Sequence, residues 1–397
     1  MLTRISVQSF KSLGDVTVEL GQLNVFVGAN GSGKSNLLEA IGVLSAAAAG
    51  KVEDGPLLLR GVRPGVPKLY KSAFDDGRNL PGFIDFSAES QSASYRVTLH
   101  NPLKDPSPAW RYKSELWKEQ RAGQELSIVA RAAERKNAEQ GLAALEAVNQ
   151  GAESPGLELL SRLQKFVIFT PTTAVLRGAA PETQPHRPVG LSGGRLPEAV
   201  QELVSGSTKN PRIRQILGDA MRLIDWAEPN LHVSHSASGS LSPAAAASSM
   251  VIWFRDRYMR KGRNLLSGYD VSEGALYVLF LAVLAAHPLA PKCLAIDNAD
   301  HGLNPRLLTS LMNALARWLI DASDKPQILM TSHNPAVLDG LPLQDDRIRL
   351  FTVDRDNHGR TVVRRIVVDD RLLDFAKRGW TLSRLWMVGH LGGVPNV

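Results

Sequence analysis

The chain has 397 residues, 44% hydrophobic and 21% charged, which excludes a disordered or fibrous protein and allows one large α/β domain with an insertion, or two domains. No run of 18 apolar residues occurs, so no membrane span is expected, and the opening MLTRISVQSF lacks both the apolar core and the cleavage site of a secretion signal. One cysteine, Cys293, rules out an internal disulfide and argues for a reducing, cytoplasmic setting; the net charge of +7 suits an anionic partner, or solubility alone.

The opening segment reads as an edge strand. Across residues 2–27, Ile5, Val7 and Phe10, then Val16, Val18 and Leu20, then Leu23, Val25 and Val27 predict two or three strands feeding a glycine-rich loop. Leu37, Leu38, Ala40, Ile41 and Leu44 then predict a helix. Residues 50–82 read as irregular and 83–100 as strands. Residues 114–150 predict a polar helix that stops at the Gly151–Pro155 breaker. FVIFT at 166–170 reads as a buried strand, 171–194 as irregular, 195–226 as helical and 234–249 as a loop or weak hairpin. From residue 272 the alternation is plain: helix 272–287, strand 293–297 with Cys293 in the core, helix 305–321, strand 327–331, helix 335–340, and strands at 347–353 and 361–367. Asp354 and Asp356 flank Asn357-His358-Gly359, which reads as the turn of a hairpin.

Residues 28–35 read Gly-Ala-Asn-Gly-Ser-Gly-Lys-Ser, G-x-x-x-x-G-K-S between an apolar strand and a helix. Glycines let successive N–H groups turn inward toward phosphate oxygens, and the helix that follows adds partial positive charge at its N-terminus. The ligand implied is ATP. Asn30, Gly31, Gly33 and Asn36 are candidate nucleotide contacts, Lys34 would bridge the β- and γ-phosphates, and Ser35 would hold Mg²⁺. A loop of this kind needs a distant carboxylate at a strand end for the metal, and Asp297 closes CLAID in that position. His333 ends the apolar strand ILMTS.

These motifs, with residues 4–41, 272–287 and 293–340, identify a resemblance to ABC-class AAA-type ATPases related to the RecF, SMC and OLD heads. The resemblance implies an α/β fold: a P-loop head with a mixed central sheet, an antiparallel β subdomain and a helical insertion. We expect one head over 1–397, with an N-terminal lobe at 1–112, an inserted helical and irregular region at 113–260, and a C-terminal lobe at 261–397. It implies a signature motif that opens one helix leading to the metal-binding strand. LSGGR at 191–195 has the better letters, but 105 residues separate Ser192 from Asp297. Ser272-Glu273-Gly274 stands 25 residues before Asp297, room for one helix and one strand. Ser272 and Gly274 are therefore the candidates that face ATP bound by a second copy, and LSGGR is a local loop. His333 matches the switch histidine, and Gly302-Leu303-Asn304-Pro305 the loop that crosses the dimer interface.

The family's catalytic glutamate is replaced here by Asn298, whose amide cannot take a proton at neutral pH. Asp300 is the nearest carboxylate in sequence. Slow hydrolysis is expected, because losing a general base costs roughly 10²–10⁴ in rate. The resemblance further implies a homodimer or higher even oligomer, and an effector encoded nearby, nuclease or toxin, in bacterial anti-phage defence. Two other readings stay open: a RecF- or SMC-like DNA-repair clamp, and a non-hydrolysing scaffold. Arg255, Arg257, Arg260, Lys261 and Arg263, interleaved with Trp253, Phe254, Tyr258 and Met259, form either a DNA- or partner-binding face or a solvated helix.

Overall fold

The computed structural model describes residues 1–75, 79–121, 123–131, 138–149, 154–235 and 250–393. Its strands, in chain order, are β1 (Arg4–Phe10), β2 (Leu13–Glu19), β3 (Leu23–Val27), β4 (Phe83–Glu89), β5 (Ala93–His100), β6 (Arg111–Arg121), β7 (Gln124–Arg131) and β8 (Ile168–Phe169). They continue with β9 (His232–His235), β10 (Met250–Arg255), β11 (Leu265–Ser267), β12 (Cys293–Ile296), β13 (Gln327–Ser332), β14 (Ile348–Arg355) and β15 (Thr361–Ile366). The central sheet runs β15-β14-β3-β13-β12-β8, parallel throughout except for β15 at one edge. A second sheet, β2-β1-β4-β5-β6-β7, is wholly antiparallel, and β11-β10-β9 form a small third. This is the expected α/β architecture with a mixed central sheet and an antiparallel subdomain.

Strand geometry divides the core. Side chains alternate across a strand, so Leu23, Val25 and Val27 of β3 enter one hydrophobic cluster and Phe26 the other. The same split separates Ile328 and Met330 from Leu329 in β13, and Leu294 and Ile296 from Cys293 and Ala295 in β12. One cluster packs the helix Lys34–Ala48 between the central and antiparallel sheets; the other packs the helices Leu196–Ser207, Pro211–Leu223, Glu273–Ala286 and Pro305–Ile320 on the far face. Helix Glu273–Ala286 is buried at every residue from Gly274 onward, as its apolar circumference requires. Ser154, Asn210 and Asn304 each precede a proline and accept N–H groups of the first helical turn, so Ser-Pro and Asn-Pro mark three helix starts. Cys293 is fully buried, which pushes its thiol up to about 12.

Three expectations change. The opening strand is not an edge: β1 lies between β2 and β4. Among the described residues, the polar helix placed at 114–150 is instead strands β6 and β7, with a helix at Leu142–Asn149. Glu115 and Glu119 occupy core-facing positions of β6 and disguise its alternation. Glu115 accepts from the Tyr95 hydroxyl and from the N–H groups of Leu142 and Ala143; Glu119 accepts from Gly156 N–H. These buried carboxylates bind the first turns of two helices, where negative charge is favoured. The basic stretch 253–263 is the end of β10 and a turn, not a helix. The loop or weak hairpin expected at 234–249 lies outside the described residues beyond His235.

Candidate functional site

The phosphate loop links β3, at the centre of the sheet, to helix Lys34–Ala48. Two glycines are required by contact. A Cβ at Gly28 would stand 2.2 Å from the Val353 carbonyl; Gly33, at φ 107°, would place one 2.0 Å from Thr361 Oγ1. The β14–β15 hairpin holds the loop from behind: Thr361 donates to the Ser32 carbonyl at 2.8 Å, and Arg355 Nε to the Gly31 carbonyl at 2.9 Å. Asn36 donates to Ser12 Oγ at 2.7 Å, which the Thr361 hydroxyl also reaches. Asn30 and Gly31 are exposed on the rim.

Lys34 is buried, and its ammonium donates to the carbonyls of Gly28 and Ala29 at 2.8 and 2.9 Å. Burial pushes its pKa down to about 8, against the opposing pull of Asp297 and Asp300. Its third polar neighbour is His333 Nδ1, at 3.3 Å. Burial, then the Lys34 charge, lowers the His333 pKa, which favours a neutral imidazole with Nδ1 as acceptor.

Ser35 Oγ donates to Asp297 Oδ1 at 3.2 Å, joining positions 262 residues apart. A hydroxyl and a carboxylate at that separation are hard oxygen donors of the kind Mg²⁺ takes, so the residues fit the metal. Asp297 also accepts from the Thr331 hydroxyl, which in turn accepts the Asn298 N–H at 2.9 Å. Thr331 belongs to the strand end Thr331-Ser332-His333, but no sequence motif assigns it this role. Asn298 has φ 56°, a left-handed conformation that asparagine tolerates better than most residues. Asp300 Oδ2 accepts the backbone N–H of His333 at 3.2 Å. Lys34, Ser35, Asp297, Asp300 and His333 thus gather where β3, β12 and β13 end.

Ser272 and Gly274 are not brought to this cluster. Ser272 is the exposed N-cap residue of helix Glu273–Ala286, with no side-chain capping bond, and Gly274 is buried against Leu307 and Leu303. Ser272 lines a surface hollow of about 380 Å³ with Asn304, Arg306, Arg222 and Trp226. LSGGR is a tight loop closed on Glu182, which accepts the N–H groups of Ser192 and Gly194. Among the described residues, Arg255, Arg260, Lys261 and Arg263 are exposed and form no ion pair, and Tyr258 is 79% exposed between them. No helix among them is long and apolar enough to cross a membrane.

Two family profiles match. Residues 1–79 match an "AAA ATPase domain", and residues 212–339 match "AAA domain, putative AbiEii toxin, Type IV TA system". A DNA replication and repair protein RecF from Renibacterium salmoninarum is 43% identical over 107 residues, which is 26% of this chain and 26% of that protein. The chain therefore matches about a quarter of the length of that relative. The crystal structure of an SMC head bound to the C-winged helix domain of ScpA superposes with a TM-score of 0.53 at 11% identity, covering 94% of this chain and 99% of the other.

Proposed function

From a chain that is an ABC-class P-loop ATPase head of the RecF and SMC kind, we propose a cytoplasmic switch in which ATP and Mg²⁺ close two copies into a dimer. Closure gates a partner effector, a nuclease or toxin, in bacterial defence. The observation that carries this reading is the convergence of Lys34, Ser35, Asp297, Asp300 and His333 at one strand-end edge. Ser35 and Asp297 would hold Mg²⁺, which would supply charge neutralisation on the phosphate oxygens. Lys34 turns from the loop carbonyls to those phosphates, and His333 reaches the γ-phosphate. The exposed Ser272 and its helix N-terminus complete the site of the second copy, where backbone N–H groups meet negative charge. Closure follows from differential affinity: the closed pair binds ATP better, so ATP shifts the population toward it. The AbiEii-type match over residues 212–339 supports the defence role.

Hydrolysis is slow because Asn298 is no base, and Asp300 takes that role. In single-turnover assays Asp300→Ala is expected to slow hydrolysis by roughly 10²-fold with little change in ATP affinity. Fast turnover in the parent chain, indifferent to Asp300→Ala, rejects this assignment.

A second reading, a DNA-engaging ATPase, is favoured by the exposed turn after β10. Arg255 at the end of β10 and Arg260, Lys261 and Arg263 in the turn, which form no ion pair among the described residues, suit phosphate, and Tyr258 offers a stacking face. Duplex DNA binding should weaken with salt, and each Arg→Ala change at 255, 260 or 263 should lower the log–log salt slope by about 1. A slope that these changes leave untouched removes the turn from any DNA interface.

A further inference from the structure

A hollow of about 660 Å³ opens at the end of the central sheet opposite the phosphate loop. Val167 and Lys292, which line it, stand just before the parallel strands β8 and β12. Asp297 lies past the other end of β12, roughly 16 Å from Lys292 along extended chain. Five cations line the hollow, Arg60, Arg162, Lys165, Arg187 and Lys292, against one carboxylate, Glu158.

That carboxylate is already shared. Arg162 Nε donates to it at 3.0 Å, and the Met1 ammonium stands 3.7 Å away. Arg162 spends its other N–H groups on the carbonyls of Lys292, Asp324 and Lys325. Arg60 has only neutral acceptors: Ser45 Oγ at 2.7 Å, the Pro56 carbonyl at 2.8 Å and the Gln164 carbonyl at 3.2 Å. Burial lowers its pKa, as it does for a charge held without a counter-charge. Lys165, Arg187 and Lys292 are exposed and form no ion pair among the described residues.

The C-terminal end of helix Pro155–Gln164 favours a neighbouring cation, which accounts for Arg60 at the Gln164 carbonyl. It does not account for three further cations around the same hollow. Like charges on one concave wall repel, and an anion seated among them removes that cost. The wall is also held in place. The Arg60 carbonyl accepts the Ile168 N–H at 2.9 Å, and a Cβ on Gly61, at φ 72°, would stand 2.3 Å from the Ile168 carbonyl. Leu59 and Leu289 add apolar lining that is 60% and 52% exposed. Cations beside apolar surface in a hollow of this size suit a ligand with a phosphate and a flat or apolar body.

We propose that this hollow is a second ligand site, which takes a small phosphomonoester of mononucleotide size, its phosphate among Arg60, Lys165, Arg187 and Lys292 and its body against Leu59 and Leu289. Its occupancy is independent of the ATPase reading.

Equilibrium dialysis of labelled AMP against the full chain tests this, because AMP lacks the β- and γ-phosphates that Lys34 would bridge. One AMP per chain is expected, with equal affinity in the parent and in Lys34→Ala. Lys165→Ala and Lys292→Ala, both at exposed positions, should each weaken binding roughly 10-fold. Ribose 5-phosphate should displace AMP, and adenosine, which has no phosphate, should not. Lys165→Gln and Lys292→Gln serve where an alanine variant melts below the parent. No AMP binding at millimolar concentration, binding lost in Lys34→Ala, binding indifferent to both lysine changes, or displacement by adenosine alone overturns the site. A single-stranded oligonucleotide that binds through the two lysines where AMP does not makes the hollow part of a nucleic-acid path and overturns the small-ligand assignment.

Discussion

Lys34→Ala is expected to weaken ATP binding by roughly 10²–10³-fold and to abolish ATP-driven association. The magnitude is that of removing one partner from a buried, hydrogen-bonded charge pair, about 2–5 kcal/mol. The geometry makes Lys34 hard to replace. Its ammonium is buried inside the loop, with the Gly28 and Ala29 carbonyls and His333 as its polar contacts. Its pKa of about 8 reflects a charge stripped of water, which a triphosphate would compensate. Titration calorimetry reads the affinity, and light scattering with and without ATP reads the association. Lys34→Met controls for the lost methylenes. If ATP still drives assembly in Lys34→Ala at the parent's concentration dependence, ATP gating is wrong.

Asp297→Ala is expected to lower Mg²⁺-dependent turnover by roughly 10³-fold while ATP still binds, the several kcal/mol that a metal lends to a phosphoryl transition state. Asp297 is placed by two hydroxyls, Ser35 and Thr331, so its loss also leaves the Thr331 hydroxyl without its acceptor. Asp297→Asn keeps the shape and an acceptor oxygen, so it separates the charge from the packing. Turnover measured against Mg²⁺ concentration is the check; an unchanged metal dependence in Asp297→Asn removes this residue from the metal site. The two substitutions also differ in kind. The first acts on binding and the second on the step after binding, so one titration and one rate distinguish them.

Local patterns pointed to most of the candidate site. A glycine loop between strand and helix, a carboxylate closing CLAID and a histidine closing ILMTS each announce themselves within a dozen residues, because strand-end positions follow from hydrophobic periodicity. The helix starts at Pro155, Pro211 and Pro305 are equally local, since a capping side chain bonds the first turn of its own helix. Periodicity failed at β6. There Glu115 and Glu119 face the core because distant N–H groups at Leu142, Ala143 and Gly156 receive them. A charged residue at an inward position reads as polar surface unless its partner is known. For the same reason β1 passed for an edge strand: its second neighbour, β4, begins at Phe83.

By itself the sequence marked the phosphate loop, the α/β alternation of the C-terminal half and Lys34, Ser35, Asp297 and His333 as candidate site residues. Each depends on backbone conformations set by neighbours in the chain. Tertiary structure alone decided that Thr331 anchors Asp297, that Asp300 holds the His333 backbone, and that Ser272 stands exposed away from Lys34. Those relations depend on hydrogen bonds and packing between segments as far apart as Ser35 and Asp297. They arise when β3, β12 and β13 align in register, a pairing that the composition of no single strand encodes.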